Sequence, residues 1–154
     1  MSHVAEVTLQ VTDLDALDAA CKRIGLELVR GQKNYKWYGR WLNDWSDSER
    51  AAALKGRDPN TFGHCEHAVR IPGDPNAYEI GLCPRLDGKP GFDLVYDQYG
   101  HGGAALHKVG GKDLSELKDQ YAASVTQRHL SRQGYRTRLQ RTPGGHLQVV
   151  GQKA

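Results

Sequence analysis

The sequence predicts an α+β fold: a mainly antiparallel sheet with two main helices packed on one face, ferredoxin-like or a related split β-α-β. Three observations predict it. Short segments alternate apolar and polar residues with period two. Two longer segments place apolar residues at spacings of three and four, giving each one apolar face. Turn-forming Gly, Pro, Asp and Asn separate consecutive strand segments, so chain neighbours can pair antiparallel and leave one sheet face for the helices. A length of 154 residues suits one domain with one core. We therefore expect a single domain over 1–154, with an irregular aromatic-rich insertion at about 31–63.

The first strand is read from Val7, Leu9 and Val11 alternating with Glu6, Thr8, Gln10 and Thr12. Asp13 then stands at a helix N-cap, with Asp15 in the first turn. Leu14, Leu17, Cys21 and Ile24 make one helix face, and Gly25 supplies the left-handed stop. Leu26 to Arg30 reads as a second strand. In the insertion, Ser46 and Glu49 have capping-box spacing ahead of Arg50 to Lys55, which predicts a short helix. His67 to Ile71, Ala77 to Leu82 and Phe92 to Tyr96 read as three further strands joined by turns. Gly100-His101-Gly102-Gly103 reads as a glycine-rich connection. Asp113 and Glu116 have the spacing to cap a second helix, carrying Leu114, Leu117, Tyr121 and Val125 and ending at Gly134. Tyr135 to Leu139 and Leu147 to Val150 flank Thr142-Pro143-Gly144-Gly145 as a β-hairpin.

Hydrophobic residues make up 38% and charged residues 25%, which excludes a disordered chain and a membrane protein. The start lacks the basic and apolar run of a secretory signal, so a cytoplasmic location is expected. Cys21, Cys65 and Cys83 are too few and scattered for a disulfide framework. Charge is segregated. The last acidic residue is Asp119, and residues 120–154 carry Arg128, Arg132, Arg136, Arg138, Arg141 and Lys153, a charge of +6. Residues 1–119 hold the other 15 basic residues and all 18 acidic ones, a charge of −3. A basic end on a mildly acidic body suits an anionic partner.

An ordered set of segments carries a resemblance. It comprises Met1-Ser2-His3 leading into a strand, Asp13-Leu14-Asp15-Ala16-Leu17, Ala68-Val69-Arg70-Ile71, Tyr78-Glu79-Ile80-Gly81-Leu82, Gly91 to Asp97, Leu117 to Ala122 and Gly134-Tyr135. It resembles a small uncharacterised family of Ycf-type proteins found in cyanobacteria, algal plastids, other bacteria and phages. The resemblance covers most of the chain outside residues 31–63. It implies the same fold class and a cytoplasmic location, and it brings no activity, cofactor or catalytic residue.

Candidate chemistry is sparse. His64, Cys65 and His67, with His101, are the densest possible metal ligands, but zinc needs convergent donors. In an extended chain Cys65 and His67 would share one side and His64 and Glu66 the other. Asp97, Tyr99 and His101 could form a carboxylate-oriented base at the start of the glycine-rich stretch. No nucleophile elbow or phosphate loop is present. We expect no cofactor and no catalytic residue. The stronger feature is cationic. Arg128 and Arg132 share a helix face, Arg136 and Arg138 share a strand face, and the four would form one patch if helix and hairpin were adjacent. A second group, Arg30, Lys33, Lys36 and Arg40, is interleaved with Tyr35, Trp37, Tyr38 and Trp41.

The leading expectation is a non-enzymatic macromolecule-binding or adaptor protein with a protein partner. The alternative is a single-stranded nucleic-acid-binding protein, its cations on phosphates and its rings stacked on bases. A metal-dependent enzyme is a lesser alternative. The same rings could instead plug a core, with Lys and Arg stems over them. The deciding geometry is where the C-terminal arginines lie relative to the aromatic segment. One continuous groove favours nucleic acid, and opposite faces favour a protein adaptor.

Overall fold

The structure, a computed structural model, describes residues 4–37, 63–98 and 100–153, with side chains described from Leu9 onward. The elements run β1 (Val4–Val11), α1 (Leu14–Ile24), β2 (Glu27–Arg30), β3 (His67–Arg70), β4 (Ile80–Pro84), β5 (Phe92–Asp97), α2 (Gly100–Gly110), α3 (Ser115–Arg132), β6 (Tyr135–Arg141) and β7 (Leu147–Lys153). The fold is α+β. The predicted helix at Ser46–Lys55, with Tyr38, Arg40 and Trp41, lies outside the described residues, as do Met1-Ser2-His3 and Tyr99.

Five strands pair in the order β1-β5-β4-β3-β2, each pair antiparallel. The order makes β1 and β2 parallel to each other, separated by three strands and bridged by α1. This is a split β-α-β. A ferredoxin-like sheet needs the strand after the second main helix to join it. Here β6 and β7 form a two-stranded sheet of their own.

Helix α1 forms where its caps and apolar stripe agree. Asp13 Oδ1 accepts from the Ala16 N–H at 3.0 Å, and Gly25 closes the helix at φ 83°. Ala16, Leu17, Ala20 and Cys21 are buried against the sheet. Leu28, Val69, Ile80, Leu82, Leu94 and Tyr96 supply the sheet side of this core, and Leu106, Leu114, Leu117 and Tyr121 cover it from α2, the linking turn and α3. Two clasps hold α3 to α1. Arg23 donates to Gln120 Oε1 at 2.6 Å and to the Gln120 carbonyl at 2.9 Å, and also to Ser124. The Tyr121 hydroxyl accepts from the Thr12 and Asp13 N–H groups at 3.0 and 3.2 Å.

Three sequence expectations change here. Gly100-His101-Gly102-Gly103 is the first turn of a helix, not a loose connection. Its glycines permit close packing: a Cβ on Gly102 would lie 2.4 Å from the Tyr78 ring, and one on Gly103 2.1 Å from the Gln98 backbone. Asp113 does not cap α3. It sits with Leu114 in left-handed conformation, φ 55° and 57°, and α3 starts at Ser115 without a side-chain cap. This turn drives Leu114 fully into the core. Burying a leucine is worth about 1.5–3 kcal/mol, which offsets a lost cap of ~1 kcal/mol and part of the left-handed strain. Val125, assigned to the apolar stripe, is largely solvent-facing at 37% exposure.

The second face of the sheet carries a smaller cluster of Tyr35, Cys65, Ala68, Cys83 and Val95, with Trp37 against it. Part of the sheet face opposite the helices is therefore covered by the chain that follows β2.

Candidate docking surface

The position of the aromatic group separates the two main expectations. Tyr35 is 4% exposed. Its ring lies on Gly81, where a Cβ would come within 2.3 Å of it. Trp37 packs on the same cluster and over Gly63, at φ 92°, where a Cβ would meet the indole at 2.5 Å. Tyr35 plugs the second sheet face through the Gly81 notch, and half-buried Trp37 packs beside it over Gly63.

The cations beside them are engaged. Lys33 pairs with Glu66 at 2.7 Å, Arg30 with Asp15 at 2.7 Å, and the Lys36 ammonium donates to the Pro75 carbonyl. An open cleft of about 420 Å³ lies nearby, lined by Lys36, Arg70, Tyr78 and Glu79. Its charges are also satisfied: Glu79 accepts from Gln32 and the Lys36 N–H, and Arg70 pairs with Glu27 at 2.8 Å.

The C-terminal cations divide in two. Arg128 is drawn back to the body by Asp13 at 2.8 Å and Asp15 at 3.5 Å. Burial opposes ionisation of Asp13, yet the Ala16 N–H and the Arg128 guanidinium outweigh it and hold the carboxyl below its ordinary pKa. Arg141 pairs with Glu116. Arg132, Arg136 and Arg138 are exposed and make no ion pair among the described residues. Lys153 lies 6.0 Å from the centroid of the Tyr135 ring.

Hairpin geometry separates these groups further. The strands are in unbroken register from Tyr135 opposite Lys153 to Arg141 opposite Leu147. The Gln127 amide on α3 donates to the Thr137 hydroxyl at 3.1 Å, and a Cβ on Gly151 would touch Leu130. Thr137 therefore faces α3, and alternation turns Arg136 and Arg138 away from it. Helix and hairpin are adjacent, but the four arginines do not form one patch, because α3 holds the inner side of the ribbon and the strand arginines occupy the outer side. Across from them stand Gln152 and Val150, and the Gln140 side-chain amide N–H donates to Gln148 Oε1 at 2.9 Å. Period-two reading could have found Gln140 and Gln148, which alternate with half-buried Leu139, Leu147 and Val149.

Helix α3 lies on the first sheet face and the hairpin packs on α3, while Tyr35 and Trp37 lie on the second face. Arg136 and Arg138 are therefore on the side of the sheet opposite Tyr35 and Trp37.

The metal candidates do not converge. A bend at Glu66 breaks the alternation that would have put Cys65 and His67 on one side. Cys65 turns into the cluster under Tyr35, where burial pushes its thiol up to about 12. His67 pairs with Leu82 on the helix side, lies edge-on to Phe92, and accepts from the Gly31 N–H at 2.9 Å. His64 is exposed. His101 is exposed in the first turn of α2 with no hydrogen-bonded carboxylate among the described residues, whereas Asp97 is fully buried in the sheet. Among the described residues no three His, Cys, Asp or Glu side chains could share a metal ion, and no helix is long and apolar enough to cross a membrane. Compared with protein-family models, curated proteins and solved structures, the chain finds no match in any of the three.

Proposed function

We propose that this chain is a non-enzymatic docking module that recruits an acidic protein partner through the outer face of the β6–β7 hairpin. One observation carries the reading. Among the described residues, the arginines that make no ion pair include the two on that face, Arg136 and Arg138, on the side of the sheet away from Tyr35 and Trp37. Electrostatic complementarity sets partner choice and association rate. A face with two free guanidiniums and no carboxylate favours an anionic surface.

Single-stranded nucleic acid would use the same cations but, among the described residues, finds neither Tyr35 nor Trp37 beside them, because both pack on the opposite face of the sheet. A metal-dependent enzyme has no converging ligands among the described residues to build on. A cytoplasmic site of action accords with three cysteines that are buried free thiols, as in a reducing compartment.

The test is affinity capture from the native host at physiological salt, run in parallel with wild type and an Arg136→Glu, Arg138→Glu variant of unchanged fold. A protein retained by wild type and lost from the variant, and then bound directly as a purified component, is the expected result. Equal retention by both, or turnover of a small molecule by the purified chain with no partner recovered, overturns the proposal.

A further inference from the structure

The free edges of the two sheets are not alike. In the five-stranded sheet β1 carries a register shift between Val7 and Gln10, and β2 is only four residues long. A bulge and a short strand both discourage pairing with another chain. The hairpin has no such device on β6. That strand runs seven residues, Tyr135 to Arg141, with no Pro, no Gly and no register shift, and among the described residues it pairs only with β7. Strand β7 is the poorer template, because Gly151 interrupts it. The β6 edge thus presents a regular row of backbone N–H and C=O groups.

Its side chains restrict what can join. A third strand beside β6 would place alternate residues next to Arg136 and Arg138 on the outer face, and the intervening ones next to Tyr135, Thr137 and Leu139 on the α3 side. A second copy of β6 would set arginine against arginine, and like charges on facing positions are destabilising. Carboxylates at alternate positions would meet both guanidiniums, which make no ion pair among the described residues. The half-buried inner positions call for apolar or β-branched residues between them.

We propose that β6 accepts an extended acidic segment of a partner protein as a third strand, with carboxylates at every second residue and apolar residues between. This rests on the docking reading above and adds the backbone mode of recognition to it. Main-chain hydrogen bonds would supply affinity and the alternating side chains specificity.

The experiment uses the full chain and fluorescein-labelled peptides of β6 length, read by anisotropy at physiological salt. One peptide alternates Glu and Val, a second has the same composition in blocks, and a third replaces Glu by Gln. Two further versions of the first are N-methylated at either the odd or the even residues, which removes the N–H groups along one edge only. The alternating peptide should bind best. One N-methylated version should lose about tenfold or more in affinity while its counterpart binds normally, because only one edge faces β6. Arg136→Gln with Arg138→Gln should weaken the alternating peptide by a similar factor and leave the thermal transition unchanged. If the acidic peptides bind but both methylated versions bind equally well, strand addition is wrong and charge-led docking stands. If no acidic peptide binds while a DNA or RNA oligonucleotide does, both proposals fail.

Discussion

The five-stranded sheet and the C-terminal hairpin are both antiparallel, yet they are held by different means. In the sheet, Ile80, Leu82 and Leu94 are fully buried beneath Leu17 and Leu117, and the second face is plugged by Tyr35. In the hairpin no residue is fully buried, and its inner side leans on α3. A lone hairpin is marginal in water. What keeps this one folded is the surface α3 offers its inner face, together with the Arg141–Glu116 ion pair. The outer face, with exposed Arg136 and Arg138, is turned away from that contact. The contrast teaches that the burial supporting the fold and the charge suited to recognition occupy separate places.

The comparison breaks most severely at the junction. Leu117→Ala should lower stability by about 2–5 kcal/mol, measured by urea denaturation, because it opens a cavity where α3 meets the sheet. Hydrogen exchange in β6 and β7 should rise with it, since both strands depend on α3.

Gly81→Ala attacks the other side of the sheet. The new methyl would overlap the Tyr35 ring, at a cost of about 1–3 kcal/mol. Near-ultraviolet circular dichroism should report the displaced aromatic group, while the outer hairpin face is untouched.

Asp13→Ala removes a helix cap and should cost ~1 kcal/mol. Asp13→Asn keeps the cap and isolates the charge. The pKa of Asp13 is lowered in the folded chain, so its ionic contribution is complete above the unfolded carboxylate value of about 4. It is lost as pH falls through the lower folded value. The stability gap between wild type and Asp13→Asn should therefore close on acidification. A gap that widened below pH ~4 would contradict the Arg128 contact.

The smallest expected change sharpens the contrast most. Arg136→Gln with Arg138→Gln should move stability by no more than about 0.5 kcal/mol, while acidic-peptide binding falls. A large loss of stability would show that the outer face is part of the support after all.

Much of this was legible locally. Asp13 and Gly25 delimit α1 because capping is a contact within a few residues. The hairpin is recognisable because Tyr135 to Leu139 and Leu147 to Val150 flank a Thr-Pro-Gly-Gly turn, and the structure extends the strands to Arg141 and Lys153. The local signals misled where a distant partner overruled them. Gly102 and Gly103 look like loop residues, but they are glycine because Tyr78 and the Gln98 backbone press against a helix. Asp113 has the spacing of a cap, but the core claims Leu114 instead. Cys65 and His67 have the spacing of one strand face, and a bend at Glu66 sends them apart.

The sequence by itself determined the fold class, the ends of α1, the hairpin and the +6 charge of the last 35 residues. Those follow from periodicity, caps and composition, which act over a few neighbouring residues. Only the tertiary structure decided which cations are spent and which are free. Asp13, Asp15 and Glu116 reach across the fold to Arg128 and Arg141, the sheet absorbs Tyr35 and Trp37, and Arg136 and Arg138 remain outward. The physical reason is that an ion pair or a buried ring depends on distances between residues as many as 115 positions apart, and chain spacing carries no record of them.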